Sequence, residues 1–99
     1  MNTPIKKKTL REIIRTQTVP DFWEMMKNRM AVGYYRHGDL QRPEGHGAMR
    51  CLHKKLKAYA RSGNKELLID IANCAMIEFK YPEHPNSHFK CEDRGEESK

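Results

Sequence analysis

Apolar positions recur along this chain three and four residues apart, and nowhere do they alternate with period two over a useful length. Four helices and no sheet are therefore expected. The first, roughly Thr9 to Thr16, sets Leu10, Ile13 and Ile14 on one side and Arg11 and Arg15 on another. It is short, and a helix of that length is marginal unless docked. The second, Pro20 to His37, carries a stripe of Phe22, Met26, Met30 and Tyr34, widened by Val19 and Trp23. Thr18 is a candidate cap, Pro20 and Asp21 suit the first turn, and Gly38 stops the helix.

The third helix, about Ala48 to Arg61, puts Met49, Leu52, Leu56 and Tyr59 on one face and Arg50, Lys54, Lys57 and Arg61 on another. Gly63 suits a left-handed terminator and Asn64 the cap that follows. The fourth, Lys65 to Lys80, is apolar on most sides, which marks a central helix or an interface. The short Ser62-Gly63-Asn64 joint implies an antiparallel hairpin. The fold expected is all-α: a small antiparallel bundle of about four helices with an extended C-terminal arm. Residues 1–90 make one helical domain, and residues 91–99 a flexible acidic tail.

Composition changes this picture in one respect. Leu, Ile, Val and Phe total 17 of 99 residues, so the core is thin. A homo-oligomer would supply the burial that one copy lacks. Three widely spaced cysteines, Cys51, Cys74 and Cys91, with no secretion signal, read as free thiols in a reducing cytoplasm. No apolar run is long enough to span a membrane.

Charge is uneven. The chain carries +6 overall, but residues 1–65 hold +10 and residues 66–99 hold −4. A basic body points to an anionic partner. The stretch Tyr34 to Gly47 concentrates suitable chemistry: Arg36 and Arg42 for phosphate, His37 and His46 as donors, and Tyr34 or Tyr35 as a face for a base. Glycines there allow close backbone approach, and the next helix begins with free amides. With Arg50 and Lys54 added, these residues compose a site for a small anionic nucleotide; the competing reading is a plain exposed loop with two core tyrosines.

Glu66, Asp70 and Asn73 share a face of the fourth helix, with Glu78 beyond. They suit either Mg²⁺ or structural pairing, and Asp70 also joins the candidate ligand-binding residues; flanked by Ile69 and Ile71, it is favoured to pair with an Arg or Tyr of a neighbouring helix rather than to contact ligand or metal. His84-x-x-x-His88-x-x-Cys91 has zinc-like spacing but lacks a fourth ligand, and Pro82 and Pro85 favour an extended arm.

Gly63-Asn64-Lys65-Glu66-Leu67-Leu68-Ile69-Asp70-Ile71-Ala72-Asn73, Met76-Ile77-Glu78-Phe79 and His84-Pro85-Asn86-Ser87-His88-Phe89, with Tyr34 to Asp39, resemble a family of short phage and prophage proteins of unassigned activity. That context implies nucleotide metabolism, or interference with a host defence that signals through nucleotides. A more distant resemblance links the chain to MazG-like all-α nucleoside triphosphate pyrophosphohydrolases. In those, a Glu-x-x-Glu pair and a later Glu-x-x-Asp pair gather Mg²⁺. Asp21-x-x-Glu24 imitates the first pair, and Glu66 to Asp70 is one residue longer than the second.

The expectation that results is non-catalytic sequestration of a small anionic nucleotide, of the phage anti-defence sponge type, in a host cytoplasm and with no cofactor. The first alternative is a Mg²⁺-dependent pyrophosphohydrolase using Glu24, Glu66, Asp70 and Glu78. The second is nucleic-acid binding through Lys6 to Lys8 and the basic stripe of the third helix.

Overall fold

A computed structural model describes residues 7–92. Residues 93–99 of the tail expected at 91–99, and Lys6 of the run Lys6 to Lys8, fall outside that span. Four helices follow in order: α1 (Leu10–Gln17), α2 (Pro20–His37), α3 (Ala48–Ser62) and α4 (Glu66–Lys80), with no strand among the described residues. None is long and apolar enough to cross a membrane.

Local chemistry explains the boundaries. Thr9 opens α1 with a capping box: its hydroxyl accepts from the Glu12 amide, and the Glu12 carboxylate accepts from the Thr9 amide. Thr18, expected to cap α2, instead closes α1, its hydroxyl donating to the Ile14 carbonyl at 2.6 Å. Proline at the start of α2 supplies the preset φ there, and Val19 precedes it with no side-chain cap. Gly63 ends α3 at φ +70°, the left-handed conformation that a Cβ would strain. Asn64 Oδ1 then accepts from the Glu66 amide, capping α4 as expected.

α4 is the central element. α3 packs along it as the antiparallel hairpin partner, and α2 packs on it as well. Burial is sparse: among the described residues only Ala48, Ile69, Asn73 and Cys74 are buried. Two expectations shift accordingly. Met49 and Leu56 of α3 are exposed, whereas Cys51, Leu52, Lys55, Ala58 and Tyr59 are half-buried. The inward stripe is thus rotated toward Lys55, whose ammonium reaches Asp70. In α2, Phe22, Met26 and Met30 are half-buried, but Val19, Trp23 and Tyr34 stand exposed at the stripe's ends.

No residue of α1 is buried. Beyond α4 the chain turns back without helix, and Phe89 meets Phe79 edge-on at 6.2 Å between ring centroids. The arm therefore touches its own α4.

Candidate functional site

Two features converge at the C-terminal end of α4: a basic trough and a polar cluster around one histidine. The trough, about 620 Å³, is walled by Arg29, Tyr34 and His37 of α2, by Arg42 of the following loop, and by Ile77, Lys80 and Tyr81 at the end of α4. A second cavity of about 400 Å³ shares Arg42, Lys80 and Tyr81 with it and continues to His46 and Glu83. A third, about 590 Å³, opens between α2 and α3 over α4; Arg36, His37, Lys55, Asp70 and Asn73 line it.

The structure thus brings Tyr34, His37 and Arg42 to one trough and Arg36, His37 and Asp70 to the adjoining cleft. Tyr35 is 85% exposed and leans edge-on against Tyr34 rather than lining either cavity. Arg50 and Lys54 are exposed on α3, outside these cavities. Arg29, Lys55 and Lys80 line them and escaped the sequence reading, which centred the site on the stretch Tyr34 to Gly47 with Arg50 and Lys54 added. The helical register was the signal available: Arg29 stands eight residues before His37 on α2.

Asp70 and Glu66 take structural roles here. Arg29 donates to Glu66 Oε2 and, at 3.0 Å, to Asp70 Oδ2; Lys55 Nζ lies 3.2 Å from the same Asp70 oxygen. The two carboxylates, by hydrogen bonding first, hold the Arg29 guanidinium pKa above its ordinary value. This network joins all three packed helices. Glu24 pairs with Lys27 at 2.9 Å. Three of the four carboxylates suited to Mg²⁺ are therefore already paired with cations.

Glu78 behaves differently. Its Oε2 accepts from the Glu83 and His84 amides at 3.0 and 3.1 Å, pinning the start of the arm. Its Oε1 is buried, has no hydrogen-bond partner, and sits 3.6 Å from His46 Nε2. His46, with a side chain only 4% exposed, is held from every side. The Ala48 amide donates to Nδ1 at 3.0 Å, which places the ring proton on Nε2, where it meets the Tyr81 carbonyl at 2.6 Å. Glu83 Oε2 accepts from the His46 amide at 2.7 Å.

Gly45 makes that last contact possible. At φ +88°, a Cβ would lie 1.8 Å from Glu83 Oε2.

His46, Glu78 and Glu83 each offer an atom within 4.8 Å of the others, a spacing compatible with one metal ion. A nitrogen and two carboxylates suit Mn²⁺ or Zn²⁺ better than Mg²⁺, which prefers an all-oxygen shell. An ion at Nε2 has to displace the contact with the Tyr81 carbonyl. Glu83 was absent from the residues singled out in the sequence because it lies 37 positions from His46. The motif His84, His88 and Cys91 does not assemble: His84 Nδ1 accepts from the Asn86 amide, and His88 Nδ1 faces the Asn86 carbonyl.

Comparison with known proteins finds no family model, no curated protein and no solved structure that matches the chain, so the phage-family and MazG-like resemblances gain no support from it.

Proposed function

We propose that this protein holds a small phosphorylated ligand of nucleotide type in the basic trough, beside a divalent ion at His46, Glu78 and Glu83, and acts as a metal-assisted nucleoside triphosphate pyrophosphohydrolase. The observation that carries this reading is the unpartnered, buried Glu78 Oε1 next to His46 at the end of a cavity shared with Arg42 and Lys80. A buried carboxylate oxygen with no donor is costly, and a cation relieves that cost.

The ion would supply Lewis-acid charge for a phosphate oxygen and lower the pKa of a bound water. The chain's own residues bind and orient. Arg42 and Lys80 meet phosphate oxygens, His37 adds a hydrogen bond, and Tyr34 offers a ring face to a base. The carboxylates involved differ from those of the MazG-like pattern. Of the set Glu24, Glu66, Asp70 and Glu78 expected for a pyrophosphohydrolase only Glu78 remains, because Glu66 and Asp70 are engaged by Arg29 and Glu24 by Lys27.

A second reading keeps the same trough without cleavage. Its support is the engagement of both His46 ring nitrogens, which leaves the protein folded around its histidine without any ion. The trough then sequesters an intact nucleotide, as in the sponge expectation.

One experiment separates the two. The protein is incubated with nucleoside triphosphates and Mn²⁺, and both released pyrophosphate and protein-bound nucleotide are measured. Pyrophosphate release lost with chelator and with Glu78→Gln supports hydrolysis. Intact nucleotide recovered after denaturation supports sequestration. Neither release nor retention overturns both.

A further inference from the structure

We propose that the joint between α1 and α2 is a self-complementary surface on which a second copy of this chain docks. The inference is independent of the reading of the trough.

First, five large apolar side chains gather at the joint: Leu10, Ile13, Ile14, Val19 and Trp23 stand 43–73% exposed, an apolar patch of the kind that an interface covers.

The second argument is the state of α1. It is a formed helix with a complete capping box, yet it buries nothing. Eight residues do not sustain a helix in water without docking. Leu10, Ile13, Ile14, Val19 and Trp23, all exposed, lie on α1 and the start of α2. Between them is a shallow depression of about 470 Å³ lined by Leu10, Ile14, Pro20 and the stems of Arg11 and Arg15.

The third argument is what fits that depression. Trp23, 51% exposed, stands three residues beyond Pro20 with Lys27 Nζ 5.5 Å from its ring centroid. A two-fold pairing places Trp23 of each copy in the depression of the other, as an isologous interface requires. Charge agrees. The joint carries Arg11 and Arg15 on α1 and Asp21 on α2, and none of the three has an ion-pair partner among the described residues. Antiparallel pairing sets the arginines of one copy toward the aspartate of the other. Asp21, Glu12 and Glu24 also make the joint a poor match for an anionic membrane surface, which the flanking arginines alone would suit.

Trp23 is the only tryptophan, so it reports directly. Sedimentation equilibrium and tryptophan emission are followed together across protein concentration, with Ile14→Asp as the variant. A dimer whose emission moves to the red on dilution, and a monomeric Ile14→Asp of otherwise folded protein, support the surface. A folded wild-type monomer at high concentration overturns it, as does a dimer that Ile14→Asp leaves intact. Where Ile14→Asp does not fold, Arg15→Glu decides: a tenfold rise in the dimer Kd supports the pairing, and an unchanged Kd overturns it. Sedimentation of a solution monomer with phosphatidylserine vesicles assigns the face to a membrane and also overturns the proposal.

Discussion

The two ends of this molecule solve the same problem differently. Neither buries much apolar surface. At the C-terminal end of α4, polar groups hold the structure: His46 joins the loop before α3 to the Tyr81 carbonyl, while Glu78 and Glu83 tie the arm and the loop through three backbone amide contacts and their approach to the His46 ring. At the α1–α2 joint no such clamp exists among the described residues, and Leu10, Ile13, Ile14, Val19 and Trp23 face solvent. The clamped end closes within one copy, and in the function proposed above it receives a charged guest. The uncovered end, in the second proposal, is covered by another copy. Exposed apolar area and buried polar wiring would then mark different kinds of partner in one small chain.

The largest effect is expected from breaking the clamp at its tightest point. Gly45→Val drives a side chain into the Glu83 carboxylate at a positive φ and removes the His46 amide contact. A loss of about 3 kcal/mol is expected in urea unfolding, from backbone strain plus the broken polar network. An unchanged midpoint would show that the clamp holds nothing.

Asp70→Ala comes next. It strands Lys55 and leaves Arg29 with Glu66 alone, and the expected cost is about 1–2 kcal/mol, discounted because the Arg29 side chain is 41% exposed. Glu66→Ala, at a 59% exposed carboxylate, costs under about 1 kcal/mol. A reversal of that order in thermal unfolding would refute the network as described.

A third prediction concerns pH. Burial first, and the neighbouring Cys51 next, push the Cys74 thiol up to about 12 from an ordinary 9.0. The folded state therefore keeps a proton that the unfolded chain loses. Stability is unaffected by this group below about 9 and falls as pH rises from there toward 12, by at most about 1.4 kcal/mol per unit. Cys74→Ala flattens that part of the stability–pH curve; an identical slope in the variant would contradict it.

The smallest effect is predicted at the uncovered end. In protein dilute enough to be monomeric, Ile13→Ala costs no more than about 0.5 kcal/mol in urea unfolding, since the side chain buries little there. A cost above 2 kcal/mol under that condition would mean that α1 packs on its own bundle.

Much of the fold was legible before the structure. Helix positions followed from the 3.6-residue stripe, and Gly38, Gly63 and Asn64 marked ends because their chemistry is local. The rotation of α3 was not legible, since it depends on Lys55 being drawn to Asp70, a contact between helices. The same limit applied to the site. Tyr34 to Gly47 stood out by composition, but its guests' neighbours Arg29, Lys80 and Glu83 arrive only through folding. Glu66 and Asp70 looked alike as metal ligands or salt-bridge partners until Arg29 was found between them.

On the function proposed above, His46, Glu78 and Glu83 receive a divalent ion beside the trough. Nitrogen-15 spectra of the histidine rings, recorded while Zn²⁺ is added, decide this. In metal-free protein His46 is expected to carry its proton on Nε2, and added ion to replace it, shifting the His46 ring signals and leaving those of His84 and His88 unmoved. His46 signals unchanged at saturating Zn²⁺, in protein that remains folded, would contradict it.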